Sequence, residues 1–300
     1  MAGAAPKPSG FIDNDRAGVL TTVTFAAEPA KTAMPRISIG DCQLYYEREG
    51  DGFPVLFITG LTGYANFWRD QIATFARSYA TIAYDHRGVG QSDPKCASNV
   101  IERLAADAVG LLDALGIAKA HIVGHSAGGA VAQVLAIEHP QRVASIVIVA
   151  GWTKPDAYFR RFFALRKELL SRLGPSSYIQ ANTLFLYPPS YIAANNEKLR
   201  QIEAQNLAHF PPPDTIASRI DAMMAFDRTA DLGRIRTPVL VLAAQDDVIT
   251  PAYFSEDLAR RIPGAEAKFF PQGGHDFPLV VPREFNQAVL PFLQAHTPAQ

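Results

Sequence analysis

Ala120-His-Ile-Val-Gly-His-Ser-Ala-Gly-Gly-Ala-Val-Ala-Gln-Val-Leu-Ala136 reads as three things in order: an apolar β run, a knot of small residues around one serine, and an apolar helix. That order says more than the five-residue match Gly124-His-Ser126-Ala-Gly128 alone. In a Gly-x-Ser-x-Gly turn between strand and helix, the serine adopts a strained backbone that lifts its hydroxyl clear of the sheet. Its neighbours must be tiny, because incoming strand and outgoing helix nearly collide, which suits Gly124, Gly128 and Gly129. The helix then starts behind Ser126 and aims its free N–H groups at negative charge developing nearby. Ser126 is therefore the candidate nucleophile. A Gly-rich turn whose serine only caps the helix would also explain Ser126. It would not explain the partners found further along the chain.

A serine hydroxyl needs a base, and the base needs an orienting carboxylate. Of seven histidines, only His275 and His296 follow the last plausible acid, and His296 lies in a Pro/Gln tail. His275 sits in a Gly-Gly-His turn straight after a strand, where glycines let the backbone bring the imidazole over the sheet edge. Asp246 and Asp247 both follow the strand Pro238–Ala243; Asp247, four residues before Pro251, is preferred, with Asp246 as the alternative. Two backbone donors complete the set. One is the N–H of Ala127; the other is that of Leu61, in the loop after the strand Pro54–Thr59, where Gly60 permits the turn.

Around these residues the chain alternates. Ile37–Glu47 reads as two short strands turning near Gly40-Asp41. Nearly all-apolar runs at Pro54–Thr59, Ala80–Tyr84, Val143–Val149 and Pro238–Ala243 read as strands covered on both faces. Ala265–Phe270 is one more strand. Helices are expected at about 66–78, along the face Ile101, Leu104, Ala105, Ala108 and Leu112, near 252–261 and at about 282–295. This rhythm implies an α/β fold: a mostly parallel sheet flanked by helices, with its site at the carboxyl ends of the strands. From Trp152 to about Arg234 the rhythm breaks into helical patterns punctuated by Pro155, Pro175, Pro188-Pro189 and Pro211-Pro212-Pro213. The expected organisation is a core over 34–151 and 235–300, an all-helical lid over 152–234, and a flexible Ala/Pro/Thr-rich extension over 1–33. Most of the lid's aromatics are expected to be core, with a few facing a pocket.

The hydrophobic share of 48% and charged share of 19% fit an ordinary globular protein with a sizeable core. A formal net charge of −1 gives no electrostatic case for nucleic acid or an anionic membrane. No apolar run approaches the ~18 residues a membrane span requires. Cys42 and Cys96 match no metal spacing and read as two thiols in a reducing, cytoplasmic compartment. No metal, nucleotide or other cofactor is expected. The expected partner is a small-molecule substrate, and assembly as a homodimer is left open.

Thr59-Gly-Leu-Thr-Gly63, Asp85-His-Arg-Gly-Val-Gly-Gln-Ser92, the serine turn, Asp247 and Gly273-Gly-His275 together resemble the α/β-hydrolase fold superfamily. The match runs from Met34 to the C-terminus, and the order Ser–Asp–His is that fold's own. Thr59 departs from the histidine many relatives carry before the glycine; the oxyanion donors are backbone groups, so this tunes the loop. Gly151-Trp152, Arg160-Arg161-Phe162-Phe163, Phe185-Leu-Tyr-Pro188 and Leu207-Ala-His-Phe210 resemble the lid of aminoacrylate hydrolases of pyrimidine utilisation. More distantly the chain is similar to 3-oxoadipate enol-lactonases and acetamidomethylene-succinate hydrolases. The resemblance implies small, carboxylate-bearing substrates. It makes Arg160, Arg161 and Arg166 candidates to grip a carboxylate, and adds Gly60, Trp152, Phe185 and Tyr187 as candidate substrate contacts.

The leading expectation is a serine hydrolase cleaving an ester, lactone, amide or carbamate of a small metabolite through an acyl-enzyme. Carbon–carbon bond hydrolysis by the same triad is the enzymatic alternative, and a non-catalytic ligand receptor the alternative from another class. Haloalkane dehalogenase and epoxide hydrolase chemistry is disfavoured, because those relatives carry Asp where this chain has Ser126.

Overall fold

The structure is a computed structural model that describes residues 35–96 and 100–298. The expected extension over 1–33 lies outside the described residues. Eight strands form one sheet among them: β1 Arg36–Ser38, β2 Gln43–Glu49, β3 Phe53–Ile58, β4 Tyr79–Tyr84, β5 Ala120–His125, β6 Val143–Val149, β7 Val239–Ala244 and β8 Glu266–Phe270. Their order is β1-β2-β4-β3-β5-β6-β7-β8. The first two pair antiparallel at one edge, while β4, β3, β5, β6, β7 and β8 run parallel. Strands β4 through β7 are almost wholly buried, which explains why their sequences read as continuous apolar runs.

Alternation along each strand divides the core into two layers. Leu56, Ile58, Ile122, Ile146 and Ile148 face one side, with helices α2 (Ile101–Ala114), α3 (Ala127–Glu138) and α7 (Ala252–Arg261). Val55, Phe57, Val123, Val147 and Val149 face the other, with α1 (Arg69–Phe75) and α9 (Pro282–Ala295). Each of these side chains, fully removed from water, contributes about 1.5–3 kcal/mol.

Between β6 and β7 lie three helices: α4 Ala157–Leu186, α5 Pro189–Ala208 and α6 Pro213–Ala225. Their ends are written in the sequence. The Asp156 carboxylate accepts from the Phe159 N–H at 2.8 Å and caps α4. Pro189 and Pro213 open α5 and α6, where a missing N–H costs nothing. Pro175 sits inside α4, next to Gly174 at φ 76°, and there the helix kinks. Short α8, Phe277–Val280, directly after the histidine turn, has no counterpart in the sequence reading. Cys42 is buried; the Cys96 side chain lies outside what is described. No helix among the described residues is long and apolar enough to cross a membrane.

The order of β4, β3 and β5 puts the point where the winding reverses beside β3, so the loops after β3 and β5 face each other across a crevice. The closeness of that approach is set by glycine. A Cβ on Gly124 would stand 2.1 Å from the Gly128 carbonyl oxygen. Gly124→Ala is therefore expected to lose about 3 kcal/mol or more of stability, read as a lowered urea midpoint.

Candidate active site

Ser126 follows β5 with φ 54° and ψ −116°, a left-handed region that side-chain-bearing residues avoid. Its N–H donates to the Val149 carbonyl at 2.8 Å, and its own carbonyl accepts from Gly129 N–H at 2.8 Å. Sheet and helix together hold the strained turn, and Ser126 is 4% exposed. Gly60 packs against it: a Cβ there would lie 3.1 Å from the Ser126 Cβ.

His275 Nδ1 lies 2.8 Å from Asp247 Oδ2. With the proton on Nδ1, Nε2 is left as the basic nitrogen. The carboxylate is oriented from several directions: Oδ1 accepts from the N–H groups of Ile249 (2.7 Å) and Thr250 (3.0 Å). The Thr250 hydroxyl stands 2.9 Å from Oδ2 and 3.0 Å from the Ala150 carbonyl, so its one hydrogen serves one acceptor at a time. Asp246 has a different task. It accepts from the N–H groups of Gly273 (3.1 Å) and Gly274 (2.9 Å), tethering the turn that carries His275.

His125, beside Ser126, joins the two halves: its Nε2–H donates to the His275 carbonyl at 3.0 Å and the two rings stand 4.8 Å apart. Burial, helped by the charge His275 can carry, holds the His125 imidazole well below its usual range. Asp276 is enclosed next to this pair, and burial raises its carboxyl to about 6. Burial, with the Asp276 charge nearby, raises the Tyr187 hydroxyl well above its usual range. Neither His125 nor Asp276 was singled out in the sequence.

Leu61 and Ala127 line a cavity of about 10 Å³, room for one water, together with Gly60, His86, Met223 and Arg219. The loop is braced throughout. The Thr59 hydroxyl donates to the Tyr64 carbonyl at 2.9 Å, giving the residue that departs from the family pattern a bracing role of its own. Asp85 accepts from the N–H groups of Ala65 and Gln91, each at 2.8 Å, and Arg87 pairs with buried Asp107 at 2.6 Å. Arg219 reaches across from α6 and donates to the carbonyls of Leu61 (3.0 Å) and Arg87 (2.8 Å). A signal for Arg219 exists: it interrupts the apolar stripe Ile216, Ile220, Met223 on its helix.

The remaining candidate substrate contacts do not converge on this cavity. Trp152 is fully buried, packed on Phe159 at 5.0 Å and Phe226 at 6.0 Å; it supports the helical block from below. Arg160 and Arg161 are exposed, and Arg160 donates to the Met224 carbonyl. Arg166 is spent inside the helices, on Asn182 Oδ1, the Tyr178 hydroxyl and the ring of Phe163. Phe185 packs edge-on to Phe162 at 4.9 Å, and Tyr187 stacks on Tyr191 at 5.5 Å. Among the described residues no group of three or more His, Cys, Asp and Glu side chains is arranged to hold a metal ion.

The model of the α/β hydrolase fold family matches residues 54–281. The chain belongs to the α/β-hydrolase fold family. A protein of Azorhizobium caulinodans, provisionally named carbamate hydrolase RutD, is 43% identical over 86% of this chain and 98% of its own length. The enol-lactonase of Burkholderia xenovorans superposes with a TM-score of 0.80 at 22% identity, over 87% of this chain and all of that one, a likeness of fold. A thermophilic esterase of Thermogutta terrifontis, solved with malate bound, is 27% identical with a TM-score of 0.77, over 88% of this chain and 99% of that one. The protein is a hydrolase of the α/β-hydrolase fold.

Two expectations follow for this α/β hydrolase. Asp247→Asn removes the acceptor that fixes the His275 tautomer, so p-nitrophenyl acetate turnover falls by about 10⁴. Asp246→Asn leaves that pair intact and costs a far smaller factor. For Asp276, a folded value near 6 against 3.8 for the free group means the native state keeps a proton the unfolded chain has lost. Its stability contribution therefore falls as pH rises from about 4 to 6 and stays low above. Asp276→Asn should gain on wild type by on the order of 1 kcal/mol between pH 5 and 7.5 in urea titrations.

Proposed function

We propose that this α/β hydrolase is a cofactor-independent serine hydrolase that cleaves an ester, lactone, amide or carbamate of a small metabolite. The observation that carries this reading is Ser126 on its strained turn, directly after His125, whose ring stands 4.8 Å from that of a histidine with its Nδ1 held 2.8 Å from a carboxylate. Ser126 Oγ attacks the carbonyl carbon while its proton passes to His275 Nε2. The carbonyl π electrons move to oxygen, and that oxyanion accepts from the Leu61 and Ala127 N–H groups. Each such donor contributes about 10²–10³ in rate. Collapse of the intermediate expels the leaving group, which takes the proton from His275 and leaves an acyl-serine. Water, deprotonated by the same imidazole, then releases the acid and restores Ser126. Asp247 keeps its charge throughout and stabilises the imidazolium.

Support from relatives is of two kinds. The 43% identical protein carries the name of a carbamate hydrolase, and a 27% identical structure is an esterase. Both are acyl-transfer chemistries that the arrangement accommodates. The test is a fluorophosphonate probe on wild type and Ser126→Ala, read by mass. A single adduct on wild type, absent from the variant, is expected, with turnover in the variant lower by up to about 10⁶. A folded wild-type protein that takes no adduct refutes the reading.

A further inference from the structure

Gly60-Leu61-Thr62-Gly63 is a tight turn closed from the Gly63 N–H to the Gly60 carbonyl at 3.1 Å. Leu61 and Thr62 are its central residues, and the closing bond of a turn does not involve the groups of its central peptide. The turn is pinned from outside at two points. At its start, a Cβ on Gly60 would stand 3.1 Å from the Ser126 Cβ, so the backbone rests on the nucleophile. At its middle, the Leu61 carbonyl accepts from Arg219 Nη1 at 3.0 Å. The Leu61 N–H lies between those two points along the chain.

Arg219 fits this place closely. A Cβ on Gly63, which has φ 77°, would stand 2.7 Å from Nη1, so bare backbone there is what admits the guanidinium. Nη2 donates to the Arg87 carbonyl at 2.8 Å, in the loop after β4. That loop is itself joined to the turn by the His86 N–H, which donates to the Gly63 carbonyl at 2.8 Å. One planar fork thus spans two loops. The buried stripe Ile216, Ile220 and Met223 on α6 brings it there. Burial lowers the guanidinium only to about 10, so it is cationic at neutral pH and both bonds are charge-assisted.

We infer that Arg219 is a positioning residue of the oxyanion site: through it the inserted helices hold the Leu61 N–H where the oxyanion will form. The inference rests on the serine hydrolase reading for the oxyanion, while the tie between Arg219 and the turn is independent of Ser126 chemistry. Arg219 acts on Leu61 and not on the substrate. A donor aimed before the reaction needs no reorganisation during it, and a misplacement of about 1 Å set from afar costs about 10² in rate. A lysine in its place would keep the charge as a point and lose the fork.

The test compares the full-length wild type with Arg219→Lys, Arg219→Gln and Tyr64→Phe. Deuterium exchange at the Gly63 and His86 amides is read first, without substrate. Both Arg219 variants are expected to speed it about tenfold or more while β5 stays protected. In p-nitrophenyl acetate hydrolysis both should lower kcat by about 10² with KM changed by less than about threefold. Tyr64→Phe cuts a different tie to the inserted helices, the hydroxyl bond to the His209 carbonyl at 2.5 Å, and leaves the Leu61 carbonyl bound. It should lower kcat by less than about threefold. Unchanged exchange in the Arg219 variants, a loss confined to KM, or a Tyr64→Phe protein as slow as Arg219→Lys each overturns the assignment. If neither Arg219 variant folds, wild type in sub-denaturing urea decides. The Gly63 and His86 amides are then expected to open together with α6, and protection that outlasts the opening of α6 overturns the tie. Exchange needs no reactive serine, and fluorophosphonate labelling of Ser126 is scored separately, so the loss of one reading is not mistaken for the loss of the other.

Discussion

A Cβ on Gly128 would sit 2.2 Å from the Ile58 carbonyl oxygen, and one on Gly124 would sit 2.1 Å from the Gly128 carbonyl oxygen. Backbone from β3, β5 and α3 meets there without room for a methyl group. That contact brings the end of β3 against the start of α3, and so the Leu61 loop to the Ala127 N–H. It also leaves Ser126 nowhere to go but into positive φ. Strain of this kind costs on the order of 1–3 kcal/mol and persists only where the surroundings over-determine it. Here they do: the serine's N–H is tied to β6 and its carbonyl to α3.

The second organising theme is that the site is held by loops clamped to one another more than by helix or strand. Asp85 and Arg87 bind the loop after β4 to the loop after β3 and to α2. Asp246 binds the turn after β8 to the loop after β7. His125 binds that same turn to the end of β5. Each clamp uses a buried polar side chain against backbone or a charged partner, the kind of network that specifies one geometry when fully satisfied. Arg219 and His125 each keep one buried nitrogen without a partner, and Arg219 is the member contributed by the inserted helices.

Much of this was readable in the chain. Strands β3 to β7 announced themselves because a strand covered on both faces has no polar positions to break its apolar run. Pro189 and Pro213 marked helix starts for steric reasons that hold in any context. Ser126 and His275 stood out because a nucleophile turn and a glycine-flanked histidine have few other uses. Asp246 and Asp247 are chemically equal in sequence; only the direction of each side chain after β7 separates the one that meets His275 from the one that tethers its loop. An aromatic beside an insertion looks the same in sequence whether it faces a pocket or a core, and Trp152 faces a core. Arg219 left its trace only as a break in an apolar stripe. Its partners are carbonyls 132 and 158 residues away, and backbone carbonyls carry no residue signature.

The helices between β6 and β7 join two strands that already lie side by side, Val149 opposite Leu242. Lengthening such a connection costs the chain little, about 0.6 kcal/mol for each doubling of a flexible loop. The sheet and the loops at its edge can therefore carry this block as an exchangeable cassette. Its ties to the loops after β3 and β4 run through main-chain oxygens: Arg219 donates to the Leu61 and Arg87 carbonyls, and the Tyr64 hydroxyl donates to the His209 carbonyl. Residues 61 and 87 can change identity without removing those oxygens. Where insertion and core meet through main-chain oxygens, the residues that carry those oxygens are free to vary while the tie persists.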